Sequence, residues 1–154
     1  MREISGNLVA KGVKIAAVAA RFNGFLVDQL VKGAADAYSR LGADAKDLDV
    51  VRVPGSNELP VAANRLAKSG RYDAIVCLGA VVRGATPHAD LINETVARAL
   101  SQIALETGVP VINGVVAADN LEQAVERCGT KQGNKGFSAV EAAVETVNVL
   151  REIG

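Results

Sequence analysis

The chain has 154 residues, a length that suits one domain able to bury roughly 70% of its unfolded surface. Lys plus Arg equals Asp plus Glu at 17 each, so there is no electrostatic footprint for nucleic acid or an anionic membrane. No apolar run reaches the roughly 18 residues that span a bilayer, and the first residues hold no signal-peptide apolar region, so a cytoplasmic location is expected.

Residues 1–12 read as a short extended arm of a single domain over 1–154. Residues 14–19 (KIAAVA) predict a strand. Residues 25–41 predict an amphipathic helix, because Leu26, Leu30, Ala34 and Tyr38 recur every four residues, with Gly42 as its C-cap. Residues 49–53 predict a second strand, stopped by Pro54-Gly55, and 58–69 a second helix. Residues 72–80 predict a third strand, apolar on both faces. A loop follows in which Thr86 is the expected N-cap and Pro87 the first residue of a helix to about Glu106, ended by Gly108. Residues 110–116 predict a fourth strand, and 120–127 and 137–151 the last two helices, split by a glycine-rich connection over 129–136. Strands alternating with helices imply right-handed crossovers and a parallel sheet between helical layers.

In such a sheet, ligands bind beyond the carboxyl ends of the strands. The loop after the first strand offers Phe22 and Asn23. Taken alone, Phe22 reads as a core anchor; at a strand's carboxyl end it can instead stack on a planar ring. The second loop offers Ser56, Asn57 and Glu58. A carboxylate opening a helix suits the helix dipole, and it can also accept hydrogen bonds from a polyol. The third loop carries Arg83, Thr86 and His88, the one histidine. An exposed histidine is often a bystander, but this one stands in the first turn of a helix, whose free N–H groups can hold phosphate.

The run Gly129-Thr130-Lys131-Gln132-Gly133-Asn134-Lys135-Gly136 is not a P-loop. It lacks Ser or Thr after Gly-Lys and follows a helix rather than a strand. Arg127, Lys131 and Lys135 around it form either a solvated helix-end patch or an oxyanion site. Cys77 and Cys128 form no C-x-x-C and read as buried apolar residues. With one histidine and no cysteine cluster, no metal is expected.

Together these segments resemble the lumazine synthase family over essentially the whole chain. The residues that carry the resemblance are Arg21-Phe22-Asn23, Val53-Pro54-Gly55-Ser56 with Glu58 and Pro60, and Arg83-Gly84-Ala85-Thr86-Pro87-His88. To these add Leu121-Glu122-Gln123-Ala124, running on through Glu126-Arg127 to Gly136. The resemblance implies a flavodoxin-like α/β three-layer sandwich with a four-stranded parallel sheet. It implies a homopentamer, in many members packed into a sixty-subunit icosahedral shell, with active sites between neighbouring subunits. The implied reaction joins a ribityl-amino-uracil to butanone phosphate without metal or organic cofactor.

By the same resemblance, Phe22 stacks on the uracil ring. Ser56 and Glu58 bind the ribityl chain with Asn23 and Asn57 nearby, and backbone at Val81 and Val82 reads the uracil edge. Gly84, Ala85 and Thr86 hold phosphate with Arg127 from the neighbour, Lys135 supports the ligand, and His88 transfers protons. The chain departs from the family pattern where aromatics are usual: Asn57, Ala89, Leu91 and Asn113 stand there, and Ala117-Ala118 replaces a Thr pair. These departures leave an alternative expectation, a pentamer or shell scaffold of the same fold with little catalysis.

Overall fold

A computed structural model describes residues 1–154. Four strands, β1 (Ile15–Ala20), β2 (Asp49–Val53), β3 (Ala74–Val82) and β4 (Val111–Ala118), form one parallel sheet in the order β2-β1-β3-β4. The helices are α1 (Gly24–Arg40), α2 (Leu59–Lys68), α3 (His88–Thr107), α4 (Leu121–Arg127) and α5 (Lys135–Ile153). Side chains alternate across the central strands and so divide the core in two. Ile15, Ala17 and Ala19 of β1 pack with α1 and α5, while Ala16, Val18 and Ala20 pack with α2 and α3. The result is the expected α/β three-layer sandwich of flavodoxin-like type, and its strands' carboxyl ends carry the loops that matter. No helix is long and apolar enough to cross a membrane.

Most elements fall within a residue or two of their predicted bounds, and Asp49–Val53 matches its prediction at both ends. Helix α1 buries Leu26, Leu30, Ala34 and Tyr38 as the periodicity requires. Gly42 follows it with φ of 108°, a left-handed turn that an L side chain resists.

Three readings are corrected. Thr86 does not cap α3: the helix starts at His88 after Pro87 and has no side-chain cap, because Thr86 lies one residue too early to reach the first-turn N–H groups. Residues 129–136 are not a plain connection but hold a small antiparallel pair, β5 (Cys128–Thr130) and β6 (Gly133–Asn134). Helix α5 begins two residues before Phe137, because the Asn134 side chain caps it: Oδ1 accepts from the N–H groups of Gly136 (2.8 Å) and Phe137 (3.1 Å).

Residues 1–12 hold no strand or helix, and part of the segment lies along α5. There Asn148 Nδ2 donates to the carbonyls of Asn7 (2.9 Å) and Val9 (3.0 Å).

Cys77 and Cys128 are both buried. Burial pushes the Cys77 thiol up to about 12 and raises that of Cys128 as well. Thiolate is the reactive form, so a thiol reagent such as DTNB is expected to leave both untouched in the folded protein and to titrate both after denaturation. Rapid labelling of the native protein would contradict this packing.

Candidate active site

The turn from β1 into α1 depends on Asn23, the one non-glycine residue with positive φ (57°). Asparagine tolerates the left-handed region better than most side chains. Its carbonyl accepts from Leu26 N–H (3.0 Å) and Val27 N–H (3.1 Å), starting α1, while its Nδ2 donates to the Ala80 carbonyl at 2.8 Å. One residue therefore starts a helix and ties the β1 exit to the end of β3. Just before it, Phe22 N–H donates to the Pro54 carbonyl at 3.0 Å, joining the first and second loops. Phe22 is 72% exposed. It is not a core anchor, and its face is free to stack on a ligand.

In the second loop, Ser56–Glu58 forms a 3-10 turn rather than the start of α2. Ser56 approaches β3 because Gly79 has no side chain: a methyl there would stand 2.7 Å from Ser56 Oγ. Around these residues lies a cavity of about 180 Å³, lined by Phe22, Asn23, Gly55, Ser56, Asn57, Glu58, Ala80, Val81, Val82 and Ile92. A larger cavity of about 440 Å³ sits beside Val13, Lys14 and Tyr38, before the first strand begins. That is the amino end of the sheet, so the smaller cavity occupies the position where parallel sheets bind ligands.

The cavity thus gathers seven of the residues singled out in the sequence: Phe22, Asn23, Ser56, Asn57, Glu58, Val81 and Val82. Sequence reasoning missed Gly55, Ala80 and Ile92. Ala80 and Ile92 read as core positions of a strand and a helix, and they do belong to the core; they line the cavity only because the first and second loops fold over them. His88 does not line the cavity. It is exposed, one helical turn before Ile92 on the same face of α3, and so stands near the rim. Gly84, Ala85 and Thr86 are exposed between β3 and His88. The first turn of α3 has no capping side chain, which leaves N–H groups free toward this loop. Ala89, where the family pattern has an aromatic, is buried.

Glu58 is the only ionisable side chain lining the cavity. Arg127 and Lys135, the two cations that the family resemblance assigns to ligand binding, lie elsewhere, on either side of the β5–β6 pair. Arg127 ends α4 and donates through Nη1 to Gln123 Oε1 at 3.5 Å. Lys135 opens α5. Although part of its surface meets solvent, surrounding protein and then the nearby Arg127 charge hold its ammonium below the usual lysine range. Two cations kept this close favour an anion between them. Asn113 also lies outside the cavity, exposed on edge strand β4, with its Oδ1 accepting from Val115 N–H at 3.0 Å.

Residues 12–151 match the sequence profile of 6,7-dimethyl-8-ribityllumazine synthase. The chain belongs to this family. Two relatives bearing that name, from Nitratidesulfovibrio vulgaris strains DP4 and Hildenborough, are each 50% identical over 153 residues, covering 99% of this chain and 98% of their own. Membership in the lumazine synthases makes the chain a transferase of riboflavin synthesis. Neither the fold nor the relatives favour the scaffold alternative.

Proposed function

We propose that this lumazine synthase performs its condensation at a site divided between neighbouring copies. One copy supplies the cavity and the next supplies Arg127 and Lys135. The reaction joins 5-amino-6-(ribitylamino)uracil to 3,4-dihydroxy-2-butanone 4-phosphate, giving 6,7-dimethyl-8-ribityllumazine. The observation behind the division is that the cavity holds no cation, while one of the two substrates carries a phosphate. A homopentamer in the cytoplasm, able to pack into a sixty-subunit shell, is the assembly this reading favours.

Within that site the uracil ring stacks on Phe22 and its edge meets backbone at Val81 and Val82. Ser56, Asn57 and Glu58 accept and donate along the ribityl chain, with Asn23 beside them, and the neighbour's Asn113 faces the ligand across the joint. Phosphate is held by Gly84, Ala85 and Thr86 at the open end of α3 and by Arg127. The uracil's amine attacks the ketone and loses water to give an imine, phosphate leaves by elimination to give an enol that becomes a ketone, and the second amine attacks that ketone and closes the ring with loss of a second water. Each step needs proximity and proton movement, and His88 at the rim is placed to move protons. Phe22 is the only aromatic lining the cavity, so ring binding loses roughly 1 kcal/mol for each further aromatic face that is missing.

The test is to mix purified protein with both substrates and follow lumazine absorbance against a protein-free control. A saturable rate well above the control is expected. His88→Ala and Arg127→Ala should each lower it by roughly a hundredfold, the lower end of what positioned proton transfer and charge contribute. Unchanged turnover in both variants would refute these roles.

A further inference from the structure

Arg83 is the last residue before the Gly84-Ala85-Thr86 loop. Its N–H donates to the Ala118 carbonyl at 2.8 Å, extending the β3–β4 ladder by one residue. Its guanidinium forms two ion pairs: Nη2 with Asp90 Oδ1 at 2.6 Å and Nε with Asp119 Oδ1 at 3.6 Å. Asp90 lies in the first turn of α3, two residues beyond His88, and Asp119 lies just past β4. A single side chain therefore clamps the loop at both ends and fastens it to the exit of β4. It also sets one positive charge against two carboxylates that would otherwise face an incoming phosphate unopposed.

All three side chains are at least half exposed, so the pairs add little to the stability of the fold. Their effect falls on the loop. We infer that Arg83 is a positioning residue: it shapes the phosphate-binding loop and screens Asp90 and Asp119 from the substrate phosphate, without itself contacting that phosphate. This inference rests on the reading of residues 84–86 as the phosphate site.

The test is steady-state kinetics on Arg83→Gln, Arg83→Lys, Asp90→Asn and the double variant Arg83→Gln/Asp90→Asn, with Thr86→Val reporting on the loop itself. Arg83→Gln should raise KM for butanone phosphate about tenfold, the size of one lost charge-assisted contact, while KM for the uracil substrate moves less than about twofold and Tm stays near that of the parent. Arg83→Lys should recover part of the loss. Adding Asp90→Asn to Arg83→Gln should recover more, because the carboxylate then no longer stands unscreened. An Arg83 that binds phosphate directly would give the opposite pattern: Asp90→Asn alone would lower KM, the double variant would stay as weak as Arg83→Gln, and the inference would fall. If KM rises in Thr86→Val but not in Arg83→Gln, only the role of Arg83 is overturned. If neither moves it, the loop reading falls as well.

Discussion

Gly136→Ala should lower the melting temperature by roughly 5–10 °C at matched protein concentration, although alanine is the better helix former by about 1 kcal/mol. Gly136 is buried in the first turn of α5, where that helix presses against α1. A methyl group at Gly136 would collide with the Leu30 carbonyl oxygen and stand 2.7 Å from the carbonyl carbon. Those atoms are helical backbone and cannot rotate away, so the helices must separate. Forcing an extra methylene into a packed core costs about 1–3 kcal/mol, and rigid backbone puts this case at the upper end.

Gly33→Ala, on the α1 side of the same joint, should behave alike. Its methyl would occupy the place of the Asn134 carboxamide, which also donates to the Gln29 carbonyl at 2.9 Å. Displacing Asn134 removes the α5 cap as well, a further loss of about 1 kcal/mol. Gly24→Ala, in the same α1 with open space around it, serves as the control and should be neutral or slightly stabilising. A Gly136→Ala protein that melts at or above the parent would mean that α1 and α5 do not meet this closely.

This joint marks a boundary in what the chain discloses before it is folded. The parallel sheet was legible because β1 and β3 carry no polar residue and the amphipathic run of α1 is long. The cavity was legible by rule, since three of the predicted loops fall at the carboxyl ends of strands. The β5–β6 pair was not legible: strands of three and two residues built around Gly129 and Gly133 carry almost no propensity signal. The anchor at Asn134 was not legible either: the residue lies inside the glycine-rich run, and the predicted helix begins only at Phe137. Its partner is the Gln29 carbonyl, 105 residues away in sequence, and no local pattern reports that. For the same reason the residue pattern alone leaves Arg127 and Lys135 as either a solvated helix-end patch or an oxyanion site, and only the family resemblance assigns Arg127 to a neighbour's site.

That separation leads to the sharpest test of the divided site. Co-expressed Glu58→Ala and Arg127→Ala chains should regain activity that neither variant has by itself. Glu58 lines the cavity and Arg127, beside Lys135 at the β5–β6 pair, does not, so the two substitutions damage opposite halves. In a ring of mixed subunits each site draws one half from either neighbour. With equal, random incorporation about a quarter of the sites combine an intact Glu58 with an intact Arg127. The rate should then approach about a quarter of the parent's, well above the mean of the two variants assayed separately. A site completed within one chain behaves differently, because no subunit in the mixture has both residues intact and the mixture would show only that mean. Two differently tagged chains, co-purified so that every particle contains both, decide between these results. An excess over the mean places Arg127 in the neighbour's site. A rate equal to the mean would return it to the site of its own chain and require α4 and the β5–β6 pair to swing toward Phe22.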